Sequence, residues 1–400
     1  MKACGIVAEY NPFHNGHLYQ ISEARKRSRS DVMIVVMSGN FLQRGEPALI
    51  DKWTRAEMAL KHGADVVLEL PVAYSVQPAD IFAKGAVDIL HAMKCSTLSF
   101  GSESGNSNQF NLAAKLMVDQ ASRIDQLFKE RAEKGQTYAA RMEQAISESI
   151  PNFPIDLSLP NNQLGLAYGR ENYKLGSPLQ LEVIQRKQAD YHEKTLQKVG
   201  TISSATAIRN QLLSSELNSD AVANFMPATS MTLLRNQPLS SWADFWIFLK
   251  YRILSSTVEE LKQIYQMEEG LENLLKKSIQ QSHSFEEFMM RIKHKRMTRT
   301  RLQRLCVYIL LQIKKTDISR SSTIHATRVL GFSSIGQDYL NKVKKEAPLT
   351  LLTKIDKQSK KFWELDIKAG NLYELGNGAN LGRQDFGRMP IKNIDIGPYH

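Results

Sequence analysis

The sequence has few cysteines and no long apolar segment, and both features limit the classes of protein to which it can belong. Its 400 residues include three cysteines, Cys4, Cys95 and Cys306, which are too few and too far apart for a disulfide framework or a C-x-x-C metal clip. No run of about 18 apolar residues is present, so a membrane-spanning helix is not expected. The chain opens directly on the apolar tract "KACGIVAEY", which predicts a core strand rather than a signal peptide. We therefore expect a cytoplasmic protein with reduced thiols and no membrane partner.

Basic residues clearly outnumber acidic residues in one half of the chain only. Residues 1–210 carry 24 Lys and Arg against 22 Asp and Glu, whereas residues 211–400 carry 28 against 19. Nearly all of the net charge of +11 therefore belongs to the second half. This imbalance predicts a surface there that binds a polyanion, and a solvated basic face is the alternative.

Short apolar tracts alternate with helical patterns in the first half. The strand-like tracts are 4–10, 31–39, 64–71, 96–101 and 179–186, and clear helical patterns cover 17–28 and 51–63. This alternation predicts an α/β fold with a parallel sheet covered on both faces. From residue 210 to about 345 the pattern is helical, followed by a strand candidate at 347–355 and a Gly-rich loop at 373–390. We predict a catalytic domain over 1–210 and a basic, mostly helical domain with a small mixed tail over 211–400.

The stretch "EYNPFHNGHL" (9–18) lies where the first strand should give way to a helix. A free helix N-terminus attracts phosphate, and two imidazoles on the first turn can donate hydrogen bonds to a triphosphate. Gly16 leaves room for a flat base against the backbone. Surface histidines or a zinc site are the alternatives, but the spacing is not that of a metalloprotease and no third ligand is apparent. We therefore predict a nucleotide site at His14 and His17, and no metal site in the protein.

A second helix start, "TISSATAIRN" (201–210), resembles a phosphate clamp. Ser203 or Ser204 can serve simply as an N-cap. Hydroxyls and free N–H groups with Arg209 on the next turn can also bind phosphate. Together with the HNGH turn, this pattern favours the clamp.

Polar residues also follow other predicted strands. Gly101 ends "SFG", Asn161 and Asn162 precede a helix, and Arg186 ends a strand; each is a candidate contact for ATP, and each is also explained by a turn, a cap or a strand end. The long polar loop that begins near residue 37 is a candidate site for a small carboxylate, although an ordinary surface loop explains it equally well. Its candidate residues for binding the small carboxylate are Asn40, Gln43 and Arg44.

The densest basic tract, "RIKHKRMTRTRLQR" (291–304), has seven Lys and Arg and no acid. A solvated helix face would normally carry compensating acids, so the tract favours nucleic acid. The candidate residues for binding nucleic acid are Arg291, Lys293, Lys295, Arg296, Arg299, Arg301 and Arg304.

The HNGH and ISSATAIR elements resemble the two signature motifs of the HIGH-type nucleotidylyltransferase superfamily. "GIVAEYNPFHNGHLYQI", "VMSGNFLQRGEPA", "GADVVLELP", "FGSE", "PNNQLG" and "RVLGF" follow in the same order as in the bacterial tRNA(Met) cytidine acetate ligases. The resemblance is dense over the first 210 residues and sparser in the basic half. It implies a Rossmann-like fold and a two-step reaction. Acetate attacks the α-phosphate of ATP to give acetyl-adenylate and pyrophosphate, and N4 of the wobble cytidine in elongator tRNA(Met) then takes the acetyl group.

The resemblance also implies roles for individual residues. The catalytic residues would be His14, His17, Ser203, Ser204 and Arg209. The ATP-binding residues would be Val7, Ala8, Glu9, Tyr10, Asn11, Pro12, Phe13, His14, Asn15, Gly16, His17, Leu18, Tyr19, Gln20, Gly101, Asn161, Asn162 and Arg186. Such chemistry needs positioning and charge neutralisation, which imidazoles, helix N-termini and Mg²⁺ supply, and it requires no nucleophilic side chain.

Two other functions stay open at this point. A small-molecule adenylyltransferase would use the same HNGH and ISSATAIR site, but it would leave the basic half without a role. A non-enzymatic RNA-binding protein with a retained nucleotide fold would not depend on His14 and His17.

Overall fold

The computed structural model describes residues 1–130, 138–186, 200–214, 219–294, 297–320, 323–378 and 384–393. Within those ranges the chain forms eight strands and eighteen α-helices. The strands are β1 (Ala3–Ala8), β2 (Val32–Ser38), β3 (Val66–Leu70), β4 (Thr97–Ser102), β5 (Gln180–Gln185), β6 (Ala326–Ser333), β7 (Thr350–Leu352) and β8 (Ile391–Asn393). The helices are α1 (Asn15–Ser28), α2 (Lys52–Lys61), α3 (Val72–Ser75), α4 (Ala79–Ala92), α5 (Ser107–Asp119), α6 (Ala121–Glu130), α7 (Tyr138–Ser149), α8 (Pro160–Lys174), α9 (Ala205–Leu212), α10 (Ala228–Arg235), α11 (Trp242–Ser255), α12 (Val258–Lys262), α13 (Leu271–Gln280), α14 (Phe285–Ile292), α15 (Arg299–Leu310), α16 (Lys315–Arg320), α17 (Ser334–Val343) and α18 (Glu364–Asn377).

The strands form one sheet in the order β5-β4-β1-β2-β3-β6-β7, with β8 paired to β6. β1 to β5 are all parallel, as the alternating pattern predicts. β6 runs antiparallel to β3, and β7 and β8 run parallel to β6. The α/β prediction is confirmed, and the sheet is mixed rather than fully parallel. β1 lies between β4 and β2, so its carboxyl end is central on the edge where ligands bind in such sheets.

Helices cover both faces of the sheet, which explains the continuously apolar strands. All seven residues of β2 are buried. Side chains of α4, α5 and α8 pack on one face, and side chains of α1 and α2 pack on the other. A strand buried on both faces has a nearly unbroken apolar sequence, which is why the sequence locates β1, β2 and β3 well.

The second half of the chain divides between a helical layer and the sheet. A separate apolar core joins α11, α13, α14 and α15 and includes Phe41 and Val72, which follow β2 and β3. The helical pattern predicted up to residue 345 is interrupted by β6, and α18 extends to Asn377 inside the loop predicted at 373–390. The predicted division at residue 210 therefore separates strands that lie in one sheet. No helix in the described ranges is both long and apolar enough to cross a membrane.

A buried charge network ties residues 384–393 to the first half of the chain. The Lys52 ammonium donates to both oxygens of Glu69 at 2.9 and 2.8 Å and to Oδ1 of Asp385 at 2.8 Å. All three side chains are buried. Burial alone would neutralise the lysine, but the two carboxylates raise its pKa above the usual value. The segment is thereby fixed beneath the carboxyl ends of β2 and β3.

Candidate active site

The first helix begins with a capping box built from two histidines. His14 is the N-cap of α1, and its Nδ1 accepts the N–H of Gly16 at 3.0 Å. Nδ1 of His17 accepts the N–H of His14 at 3.3 Å. The two rings stack with centroids 3.7 Å apart. A Cβ at Gly16 would lie 2.8 Å from Cε1 of His14, so glycine is required here by the imidazole itself.

These hydrogen bonds determine which nitrogen of each ring carries the proton. Nδ1 is the acceptor in both His14 and His17, so each neutral ring carries its proton on Nε2. Burial and, to a smaller extent, the charges of Arg186 and Arg209 lower the pKa of His14 to about 3. Burial also lowers the pKa of His17 well below its usual value, with His14 and Arg186 adding to the effect. Both rings are therefore neutral hydrogen-bond donors at neutral pH.

The structure brings the ISSATAIR element against the HNGH turn. The Asn15 side-chain amide donates to the carbonyl oxygens of Thr201 at 2.8 Å and Asn224 at 3.0 Å. Arg209, on the second turn of α9, donates to the carbonyl oxygen of Asn11 at 2.9 Å and lies 3.6 Å from the Glu46 carboxylate. The two predicted motifs, about 190 residues apart in sequence, therefore meet at one edge of the sheet.

The two adjacent serines of this element have different surroundings. Ser204 is the N-cap of α9, and its hydroxyl accepts the N–H of Ala207 at 3.0 Å. The Ser203 hydroxyl is buried and has no hydrogen-bond partner among the described residues. Ser203 also lines the pocket that His14 and His17 border. An unpaired buried hydroxyl is costly unless a ligand satisfies it.

A single pocket collects residues from α1, from the ends of β4 and β5 and from the segment before α9. It is lined by His14, Gly16, His17, Tyr19, Gln20, Gly101, Ile184, Gln185, Arg186, Ile202 and Ser203. Burial lowers the pKa of Arg186, and the Glu103 carboxylate opposes that shift. Sequence reasoning missed Ile184, Gln185 and Ile202, although each lies within two residues of one that it selected. Two helix N-termini and the Arg186 guanidinium at one cavity are suited to a polyphosphate.

Other residues of the predicted ATP segment support the histidines. Tyr10 and Phe13 are fully buried, and their rings lie 4.8 and 5.7 Å from the ring of His17. The Asn11 side chain accepts the N–H of Leu49 at 2.7 Å. Pro12 is buried beside them, Val7 and Ala8 end β1, and Leu18 is exposed on α1. Glu9 does not line the pocket; its carboxylate accepts the N–H of Gln43 at 2.8 Å.

The two predicted amides at the start of α8 take part in a local network. The Glu103 carboxylate accepts the backbone N–H groups of Asn161 and Asn162 at 3.3 and 3.1 Å, so it occupies the N-terminus of α8. The Asn162 side chain is fully buried and bonds to Ser102 and Ser104. Asn161 is half-buried, and its amide donates to Glu103 at 2.5 Å. Neither amide lines the pocket, since both are engaged with Glu103 and its neighbours.

The three predicted acetate residues lie in different environments. Asn40 is buried, and its side chain bonds to Gln384 and to the N–H of Lys52. The Gln43 amide donates to the carbonyl oxygen of Gln77 at 2.8 Å. Arg44 is half-buried beside Glu9 and lowers the pKa of that carboxyl. Of the three, only Arg44 supplies a positive charge for a carboxylate ligand.

Acids outside the basic tract, one on the same helix and two from elsewhere in the chain, compensate much of it. Arg291 pairs with Glu287 at 2.8 Å, Arg299 with Glu286 at 2.5 Å, and Arg301 with Glu268. Arg304 is buried against the loop at Gly45, so the structure does not place its side chain on a solvent-facing surface. Lys293 is exposed, and Lys295 and Arg296 lie outside the described residues.

Within the described ranges, no three His, Cys, Asp or Glu side chains converge as a metal site. The donors that face the pocket are imidazole N–H groups, guanidinium groups and helix N-termini, all of which favour an anion. The arrangement can bind a polyphosphate and neutralise charge that develops on it.

Comparison with known proteins identifies the family of this chain. The family model described as HIGH Nucleotidyl Transferase matches residues 1–387. A tRNA(Met) cytidine acetate ligase of Ligilactobacillus salivarius is 42% identical over 98% of this chain and 100% of its own length, and one of Geobacillus sp. is 43% identical over 89% of each. Crystal structures of Thermotoga maritima TmcAL match at 32% identity over 98% of this chain and 100% of theirs, with TM-scores of 0.91 for the apo form and 0.89 for the form bound with alpha-thio ATP. The chain therefore belongs to the HIGH nucleotidyl transferase family and, within it, to the family of the tRNA(Met) cytidine acetate ligases.

Proposed function

We propose that this protein activates acetate with ATP and transfers the acetyl group to N4 of the wobble cytidine of elongator tRNA(Met). The observation that carries the proposal is the pocket between the N-termini of α1 and α9. It presents two neutral imidazole N–H donors and the unpaired hydroxyl of Ser203. The names of the relatives give the acceptor and the carboxylate, and the neighbour bound with alpha-thio ATP supports the nucleotide. They do not favour a small-molecule adenylyltransferase.

In the first step, an acetate oxygen attacks the α-phosphorus of ATP, a P–O bond forms, and the bond to pyrophosphate breaks. Charge increases on the phosphoryl oxygens and on the leaving group. Donors that are already in place at these positions lower the barrier without reorganising. The Nε2–H groups of His14 and His17 and the positive end of α1 supply such donors. We place this reaction in the cytoplasm, where ATP and tRNA are available.

We treat Mg²⁺ as part of the ATP substrate rather than as a resident ion. Mg²⁺ is commonly bound through substrate phosphates with one or two carboxylates, and the described residues form no metal cage of their own. The ion would neutralise triphosphate charge during the attack on the α-phosphorus.

The helical half is the proposed tRNA-binding surface. Lys293 and His294 are exposed at the end of α14. The compensated arginines on α14 and α15 can exchange their carboxylate partners for RNA phosphates, since exposed ion pairs contribute little stability. Each phosphate contact would add to the salt dependence of binding.

The direct test is to incubate the purified protein with ATP, Mg²⁺, acetate and elongator tRNA(Met), and to analyse the nucleosides by mass spectrometry. We expect N4-acetylcytidine and pyrophosphate, and neither when acetate is omitted. The matched control is the same tRNA with uridine at the wobble position, which has no exocyclic amine to acetylate. Absence of acetylcytidine with intact, folded protein would contradict the proposal.

A further inference from the structure

A carboxylate at the end of the central strand is not used by the nucleotide pocket. Glu9 directly follows β1, and its backbone carbonyl oxygen accepts Nη1–H of Arg55 at 2.7 Å. Oε1 accepts the N–H of Gln43 at 2.8 Å, so the side chain turns toward the loop after β2. Within the described ranges, Oε2 accepts no hydrogen bond, and the residue is half-buried rather than enclosed.

The surroundings of Glu9 connect it to the active site. The charges of Arg44 and Arg209 act on the carboxylate, and so does the opposing charge of Glu46. Arg209 also holds the carbonyl oxygen of Asn11 and acts on the imidazole of His14. Arg209 is therefore close enough to act on both Glu9 and His14. Burial raises the pKa of Glu9, and the nearby Gln43 N–H and Arg44 oppose that rise.

The chemistry of the three substrates indicates which of them a carboxylate suits. ATP and acetate are anions, and a carboxylate oxygen with no donor of its own would repel both. The third substrate presents an exocyclic amine, which is a hydrogen-bond donor. Asp and Glu side chains recognise N4 of cytosine in this way in nucleic-acid complexes.

We propose that Oε2 of Glu9 accepts the N4 amine of the target cytosine and serves as the general base for acetyl transfer, an assignment that rests on the function proposed above. The amine nitrogen attacks the acetyl carbonyl carbon, a C–N bond forms, and the C–O bond to AMP breaks. The proton that the nitrogen loses passes to Glu9, and AMP leaves as the anion.

The test separates the two steps in Glu9→Gln. Glutamine still accepts the N–H of Gln43 through its carbonyl oxygen, so the loop anchor survives, but it cannot take a proton. Acetyl transfer to tRNA, measured in single turnover from preformed acetyl-adenylate, should fall by about 10²- to 10⁴-fold, the usual contribution of a general base. Trapping of acetyl-adenylate by hydroxylamine, a nucleophile that needs no cytosine site, should fall far less. Glu9→Asp should recover part of the transfer rate.

A matched control is Glu57→Gln, which removes a carboxylate from an exposed ion pair on α2, and it should leave both steps at the wild-type rate. Equal loss of hydroxylamine trapping and tRNA transfer in Glu9→Gln would overturn the inference, because Glu9 would then serve ATP or its Mg²⁺ in the first step. An unchanged transfer rate would overturn it as well. If wild-type protein makes no acetylcytidine at all, the proposed function itself fails.

Discussion

Histidine is an unusual residue with which to begin a helix, and the capping box explains its use here. Ser, Thr, Asp and Asn are the common N-caps. His14 and His17 replace the usual cap and its partner three residues later, each accepting a backbone N–H through Nδ1. The same bonds direct both Nε2–H donors away from the helix backbone. The same two side chains therefore cap the helix and supply hydrogen-bond donors to the site.

The low pKa of His14 predicts a pH dependence of stability. An unfolded histidine titrates near 6.5 and the folded His14 near 3, so the unfolded chain binds more protons between these values and stability falls as the pH drops through this window. His14→Asn keeps a capping side chain but cannot be protonated. We expect urea unfolding at pH 7 and pH 5 to show a smaller loss of stability in the variant than in the wild type. Equal losses would contradict a buried, neutral His14.

At the level of elements, the start of α9 combines a structural serine with a functional one. The N–H of Ala207 is satisfied by Ser204, whereas the hydroxyl of Ser203, a residue that lines the pocket, has no partner among the described residues. The sequence motif alone does not show which serine caps the helix and which belongs to the pocket, because the two are adjacent and either could be an N-cap.

Alanine at each position should therefore produce opposite outcomes. Ser204→Ala should cost about 1 kcal/mol of unfolding free energy, the usual value for a lost N-cap. Ser203→Ala should leave the stability of the ligand-free protein unchanged or slightly higher, since it removes an unsatisfied hydroxyl, yet it should weaken ATP binding. Urea unfolding without ATP and calorimetric titration with ATP measure the two effects. Loss of stability in Ser203→Ala with full ATP affinity would show that the hydroxyl has no role in the pocket.

The sequence predicts some elements better than others for physical reasons. β1, β2 and β3 are almost continuously apolar because both of their faces are covered, and this pattern can be recognised without a structure. β6 carries Thr327 and Arg328, both fully buried. The Arg328 guanidinium donates to the carbonyl oxygens of Asp385 and Arg388, which are distant in sequence. A polar pair of this kind is typical of a surface, so the pattern indicates no strand there.

At the scale of the whole molecule, the helical half and the sheet are joined more closely than composition suggests. Phe41 and Val72, which follow strands of the first half, belong to the core of the helical layer. Gly45 has φ +76°, and a Cβ there would lie 2.2 Å from the backbone nitrogen of Arg304. The loop after β2 therefore contacts α15 directly, and long-range contacts of this kind have no local sequence signal.

The second half of the chain does carry most of the excess positive charge. Several of its arginines are paired with acids, so the unpaired basic surface is smaller than the net charge suggests. The acids that pair with Arg299 and Arg301 come from α14 and from the turn before α13, so a search for partners one turn away on the same helix does not find them. The candidate active site was easier to predict, because both of its motifs are local helix starts. The contact between this site and the loop after β2 depends on tertiary structure, so the sequence alone does not predict it.

The proposed function places the activation of acetate by ATP at the pocket between the starts of α1 and α9. The most direct measurement is acetate-dependent exchange of labelled pyrophosphate into ATP, without tRNA, in wild type and His14→Asn. We expect the wild type to catalyse exchange only when acetate is present. The exchange rate of the variant should be about 10²- to 10³-fold lower, as for removal of one preorganised donor. Exchange that needs no acetate, or that proceeds equally well in folded His14→Asn, would contradict it.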